Sequence, residues 1–568
     1  MLKLVSRMIA SRDGNIAIMF AFFLAPLLMF AGGAVDFARY NAVKTDLVES
    51  LDAAGLAMAQ LDALNGPEIR NLSDSAREDY LKQYGKDFFT ENFMHKDIVN
   101  GLKVDFQITK TKITPKAEGT ISTLILHVVD GISLGGSSAN FNEMSMATSI
   151  EITRAATGNT EVALVLDTTG SMNNGTKMAD LRAAATEFVD VLVRGDQRDY
   201  YSKVAIVPYG GSVNLGTDAV AARGAVRAPA KITTVARIPF TYACGYRNSS
   251  TCTGYNPLVT APGHGFANGD TVVIKNVQGM SEINSSNEKV YRVRDVTPAT
   301  FTLRTVSSSN SEGGQPTVSN AYVSGGDIYC TNSGCQYKWF RNDTSSGWRL
   351  FEVTNCVSER TGVEAFSDAA PTTAKLGYVY GPIGGAYMCP PSRIAALTDN
   401  RQTAKNTIAA LAANGNTGGH VGVAWGWYAV SPNFSNLFTS DSAPASYTDD
   451  VAKSIVIMTD GEYNSSYCDG VVSRNSTSGS GGASDHIRCD AENGHSYNQS
   501  LQLCKEMKKA GVTVYTVGFQ IVDSQSARDL MSQCASGPSY AYLAEDGAAL
   551  KRVFADIAQN IAQLHISK

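Results

Sequence analysis

The chain has 568 residues, of which 43% are apolar and only 18% charged, with a formal net charge of −5. That length exceeds one compact domain, and the apolar share excludes a disordered chain. With no basic block, duplex nucleic acid is excluded as a partner, because neutralising phosphates needs clustered Lys and Arg.

The first element is an apolar run, IAIMFAFFLAPLLMFAGGAV over 16–35, uncharged and long enough for a helix to cross a bilayer. Pro26 within it is tolerated in a membrane helix. Lys3, Arg7 and Arg12 precede the run, and acids outnumber bases after it, at Asp36, Asp46, Glu49 and Asp52. The positive-inside rule then keeps residues 1–14 in the cytoplasm and puts the rest outside. A cleaved signal peptide is the alternative, but the run exceeds the usual h-region. The helix should continue to about residue 62, with Leu47, Leu51, Ala54, Leu56 and Ala59 recurring at helical spacing. The segment SRDGNIAIMFAFFLAPLLMFAGGAVDFARYNAVKTDLVESLDAAGLAMA resembles the N-terminus of TadE/TadG-type Flp pilus-assembly proteins. They share a Gly after a basic residue, an apolar helix and an Ala-rich amphipathic extension. Met19 stands where the pilin processing pattern, with Gly14 before the cut, has Glu.

Residues 63–154 read as a small α+β stalk: a polar helical stretch to about Phe93, then strand patterns in LKVDFQITK, TLILHVV and MATSIEIT. His127 on the second of these is expected in the stalk core. From 155 to 568 strands and helices alternate. Strands are expected at EVALVLD, SKVAIVPYG, KSIVIMTDGE and VTVYTVGFQ, with helices following each. The continuous apolar strand runs predict a doubly wound parallel sheet buried on both faces. The rhythm breaks at 237–390, a Gly-, Ser-, Thr- and Asn-rich stretch with six of the ten cysteines, expected to be an all-β insertion. Within it, GHGFANGD and its surroundings, about Leu258 to Gly326, resemble a small β-module of phage tail and bacterial surface proteins. The resemblance implies a spacer or binding decoration.

All cysteines lie at or after Cys244, their number is even and none has CxxC spacing. This favours disulfides over zinc, and hence an oxidising compartment. Cys504 with Cys534 would bridge two helices, and Cys468 with Cys489 would close a long loop beside Asp460. That loop is a candidate recognition surface.

Chemistry concentrates where EVALVLD runs into TTGSM. Asp167, Thr169 and Ser171 form a DxTxS phrase at the carboxyl end of a buried strand, where α/β ligand sites form. One carboxylate and two hydroxyls are hard oxygen donors suited to a divalent cation that keeps some of its water. Thr417 in NGNTGG and Asp460 at the end of SIVIMTDGE fall at other strand ends. Together these five residues resemble the metal-ion-dependent adhesion site of von Willebrand factor A domains, which have DxSxS where this chain has Thr169. The resemblance implies that fold over 155–568 apart from the insertion. It also implies Mg²⁺ or Mn²⁺, with Ca²⁺ as a third candidate, and an open coordination position filled by an acidic residue of a partner protein. HExxH, GxSxG and GxGxxG are missing, so no enzyme is expected. Thr176-Lys177 inverts the order a P-loop needs. His486, Asp490 and His495 read as a solvated loop rather than a second metal site, and Glu462 and Asp469 as neighbours of the first.

The combined expectation is a TadG-type chain in the bacterial inner membrane. It would be single-pass, with a cytoplasmic N-terminus and its bulk periplasmic or surface-exposed. It would act in Flp/Tad pilus assembly or attachment through protein and envelope partners. An independent adhesin, or a metal-dependent envelope hydrolase, is the alternative.

Overall fold

The structure is a computed structural model. It describes residues 14–64, 68–69, 72–109, 112–126, 142–153, 158–194, 197, 200–245, 250–385 and 388–563. Residues 1–13, the body of the expected cytoplasmic tail, and His127 lie outside the described residues. The chain divides into two compact units, Met1–Thr157 with Gln563–Lys568, and Gly158–Ala562.

In the first unit, helix α1 spans Gly14–Leu64 with Pro26 inside it. Among the described residues no helix is long and apolar enough to cross a membrane. The span expected at 16–35 falls on α1, where most side chains before Phe30 lie outside the described residues. The second half of α1 belongs to the stalk core. Val43, Leu47, Leu51, Ala54 and Met58 recur at helical spacing and are fully buried. They pack with Phe89 and Phe93 of α2 and its C-terminal cap (helix Asp74–Asn92) and with Phe106, Ile113 and Ile121 of a sheet. That sheet joins β1 (Asn100–Ile108), β2 (Lys112–Ser122), β3 (Glu143–Ser149) and β4 (Ile152–Thr153), all antiparallel. The Asp36 carboxylate accepts three backbone hydrogen bonds, from Leu124, Ile125 and Leu126, at 2.9–3.0 Å. One strand differs from expectation: KITPKAEGTIS forms β2, and 123–126 of TLILHVV is not a strand. Ile113, Pro115, Ala117 and Ile121 alternate inward, but Pro, Ala and Gly119 are weak strand formers and hide that period.

The second unit is built on β5 (Asn159–Asp167), β6 (Ser202–Tyr209), β19 (Val451–Thr459) and β22 (Thr513–Phe519), all parallel. These are the four strands expected. Two short edges were not: β18 (Ala395–Thr398), antiparallel to β6, and β23 (Ala541–Ala544), parallel to β22. The order is β18-β6-β5-β19-β22-β23. One face is covered by α6 (Gly419–Val430), α7 (Ser496–Lys509) and α8 (Gln525–Cys534), the other by α3 (Lys177–Leu192), α5 (Arg401–Ala409) and α9 (Gly547–Gln563). The result is a doubly wound sheet. Helix α6 is buried on every side and lies tight against the strands. A Cβ on Gly422 would sit 2.6 Å from the Tyr209 ring and one on Gly426 2.6 Å from Val165, so only glycine fits there.

Between β6 and β18 the chain adds β7 (Val213–Asn214), the one-turn helix α4 (Ala219–Arg223) and ten further strands. These are β8 (Ala230–Lys231), β9 (Thr234–Cys244), β10 (Ser250–Thr260), β11 (Thr271–Lys275), β12 (Tyr291–Arg294), β13 (Thr300–Thr305), β14 (Asp327–Cys330), β15 (Tyr337–Arg341), β16 (Trp348–Ser358) and β17 (Gly377–Pro382). They form a seven-stranded sheet, β8-β14-β11-β12-β13-β10-β9, and a smaller one, β15-β16-β17 with β7. A last hairpin, β20 (Tyr467–Cys468) with β21 (Val471–Val472), turns on Asp469-Gly470, both at positive φ. Asp-Gly is the pair such a turn favours. All ten cysteines are paired: Cys244–Cys252, Cys330–Cys335, Cys356–Cys389, Cys468–Cys489 and Cys504–Cys534. Both expected bridges are among them.

Candidate metal centre

Four of the five expected residues meet at the carboxyl edge of the sheet. Asp167 ends β5 with its side chain fully buried. Its Oδ1 accepts from the Thr169 amide at 2.9 Å and the Thr169 hydroxyl at 2.6 Å. Its Oδ2 accepts from Tyr209 at 3.0 Å and Thr459 at 2.9 Å. The Thr169 and Ser171 hydroxyls lie 2.9 Å apart, and Ser171 donates to Asp460 Oδ1 at 2.6 Å. Asp460 follows β19, and its Oδ2 pairs with the Lys177 ammonium at 2.8 Å. Asp167, Thr169, Ser171 and Asp460 thus form one chain of oxygen contacts. Gly170 and Ser171 are exposed and mark its mouth.

Thr417 sits on the loop before α6. That loop is zipped to the first one by Gly170 N–H to Gly415 O at 2.9 Å and Asn414 N–H to Thr168 O at 2.8 Å. The Thr417 amide donates to Asn464 Oδ1 at 3.0 Å. Its hydroxyl bonds none of the other four residues, so it is brought to the neighbouring loop without joining the chain of contacts.

The electrostatics are unusual. Burial, reinforced by repulsion from Asp460, raises the Asp167 carboxyl from 3.8 to about 6, against the hydrogen bonds from Thr169 and Thr459. Lys177 is the one ammonium or guanidinium among the described residues in contact with either carboxylate. Two buried carboxylates therefore share a single positive charge. A compact divalent cation fits that deficit, because the donors are all hard oxygens and Ser171 opens to solvent. Asp167, Thr169, Ser171 and Asp460 would hold it, with Thr417 from the adjacent loop. Among the described residues no cluster of three or more His, Cys, Asp or Glu could hold a metal, so hydroxyls must supply part of any ligand set.

Three residues of this centre escaped the sequence reading. Lys177 has a weak signal, a base at the start of the helix that follows the loop. Tyr209 and Thr459 each end a strand beside Asp167. Other expected neighbours lie elsewhere. Glu462 accepts from Ser524 at 2.7 Å and also from Ser526. Asp469 pairs with Lys338. His486, Asp490 and His495 do not converge: His486 contacts Ser480, Asp490 is clamped by Arg474, and His495 caps α7. His420 lies in α6 with its ring 3.1 Å from the buried Glu359.

Residues 14–60 match the family model of putative Flp pilus-assembly TadE/G-like proteins, so the chain opens with a TadE/G-like segment. Residues 257–327 match the ubiquitin-activating enzyme E1 FCCH domain, over the stretch read above as a β-module. No curated protein matches the chain. Among solved structures, the von Willebrand factor domain of the type V pili tip protein Mfa5 from Porphyromonas gingivalis is 10% identical, with a TM-score of 0.31, over 72% of this chain and 97% of that one. The pilus adhesin SpaC from Lactobacillus rhamnosus GG, in its open conformation, is 12% identical, with a TM-score of 0.28, over 81% of this chain. The present chain spans about a third of SpaC, 33% of its length. The TadE/G-like segment and five disulfides make this an extracytoplasmic, envelope-associated protein.

Proposed function

We propose that the chain is an envelope-anchored, cation-dependent protein-binding module of von Willebrand factor A type, acting in Flp/Tad-type pilus assembly or surface attachment. The apolar run at 16–35 is its inner-membrane anchor, with the N-terminus cytoplasmic and the bulk periplasmic or surface-exposed. One observation carries the binding site: two buried carboxylates joined by two hydroxyls and balanced by one ammonium. Such a site is short of positive charge, and Mg²⁺ or Mn²⁺ would supply it together with an open coordination position for a partner's acidic residue. The chain's own residues do the rest. Asp167 and Asp460 provide the charge, Tyr209 and Thr459 fix the orientation of Asp167, and Lys177 holds Asp460 in place. The TadE/G-like segment supports the pilus reading over an independent adhesin. The test is complementation of a deletion strain with wild type, Asp167→Ala or Asp460→Ala. The expected result is pilus display or attachment restored by wild type alone. Full restoration by both variants, at equal protein level, would refute the reading.

A further inference from the structure

A groove of about 480 Å³ runs beside edge strand β15, between the smaller insertion sheet and the loop closed by Cys468–Cys489. It lies apart from the carboxylates above and uses none of their residues. Four cations line it: Lys338, Arg341, Arg474 and Arg488. Two are already committed. Lys338 is tied to Asp469 and Ser333, and Arg474 clamps Asp490 through two hydrogen bonds of 2.7 and 2.9 Å, with Asp343 also in electrostatic reach. Arg341 and Arg488 are exposed and have no carboxylate partner among the described residues. Arg341 makes only a long contact of 3.4 Å to the Ser345 carbonyl. The two arginines are fixed side by side, because the Arg488 amide donates to the Arg341 carbonyl at 2.9 Å.

The floor is aromatic. Trp348, half-buried, stacks on Trp339 with ring centroids 5.8 Å apart and planes at 25°. The backbone edge is already taken: Trp339 N–H donates to Thr331 O at 2.9 Å, and Arg341 O is used by Arg488. No run of free backbone is left to add a peptide strand, so recognition must go through side chains. Two uncommitted guanidinium forks match carboxylates. A flat indole beside them matches the apolar face of a ring. We infer that this groove binds an acidic saccharide, its carboxylates on Arg341 and Arg488 and a pyranose face on Trp348.

The site needs no metal, so it is tested on the full chain in detergent with EDTA present, by calorimetry. The probes are trigalacturonate, its carboxyl-reduced counterpart and a triglutamate peptide. Trigalacturonate should bind at least tenfold more tightly than either of the others. The double variant Arg341→Gln/Arg488→Gln should lose at least tenfold, and Trp348→Ala should lose several-fold, at unchanged melting temperature. Arg488→Lys, which keeps the charge but not the fork, should fall between. Absence of trigalacturonate binding to wild type, or binding undiminished in the double variant, would overturn the assignment. So would triglutamate binding as tightly with Trp348→Ala neutral, which would make the groove a site for acidic protein segments.

Discussion

The doubly wound sheet and the β-rich segment between β7 and β18 hold together by different means. The central strands β5, β6, β19 and β22 are buried between two apolar layers, and a single disulfide, Cys504–Cys534, joins α7 to α8 on one face. The β-rich segment divides its apolar residues among smaller clusters and carries Cys244–Cys252, Cys330–Cys335 and Cys356–Cys389, with Cys468–Cys489 beside it. Positional precision resides in the sheet. Strand ends fixed by a large core hold carboxylates at defined positions, while cross-linked loops present surfaces whose sequence is free to vary.

The largest loss of stability is expected from the polar seam of the sheet. Lys453 on β19 donates to Glu161 on β5 at 2.5 Å and to Val430 O at 2.9 Å, with both side chains under 4% exposed. Lys453→Met strands the Glu161 carboxylate, so unfolding free energy should fall by about 3–5 kcal/mol in denaturant titration. Replacing Cys356 and Cys389 by Ser removes a cross-link spanning 33 residues and should cost about 2–4 kcal/mol. Hydrogen exchange should then rise in β16 and β17 and stay slow in β5 and β19. Equal loss in both regions would erase the distinction. Next in size is Lys177→Gln. Without metal it leaves Asp460 short of its partner and should cost about 1–3 kcal/mol. The melting shift produced by Mn²⁺ should grow, because no ammonium competes for the carboxylate.

The smallest effect is set by pH. A carboxyl whose folded pKa is raised stabilises the fold below its unfolded value and loses that contribution as pH rises through the folded one. For Asp167 that window runs from 3.8 to about 6. The metal-free chain should lose the Asp167 contribution across it, an effect read as the difference in melting from Asp167→Asn. Cation affinity should weaken below about pH 6, because the proton on Asp167 must leave first.

The sequence carried the sheet because its central strands are unbroken apolar runs, and Asp167 and Asp460 because each ends such a run. Edge strands β18 and β23 were silent, being four residues long and only partly buried. β2 was hidden by Pro115 and Gly119. The pairing of Lys177 was not legible, since its partner Asp460 lies 283 positions away. The pairing of His420 with Glu359 is likewise set by tertiary packing, as is that of Lys453 with Glu161, and no local pattern announces either.

The proposed cation site stands or falls on Asp167 and Asp460. The most direct measurement is the melting temperature of the full chain in detergent, with EDTA and with Mg²⁺ or Mn²⁺, for wild type, Asp167→Ala and Asp460→Ala. A metal-dependent rise is expected in wild type and is lost in both variants. Identical melting with and without metal in wild type, or an undiminished rise in the variants, would contradict it.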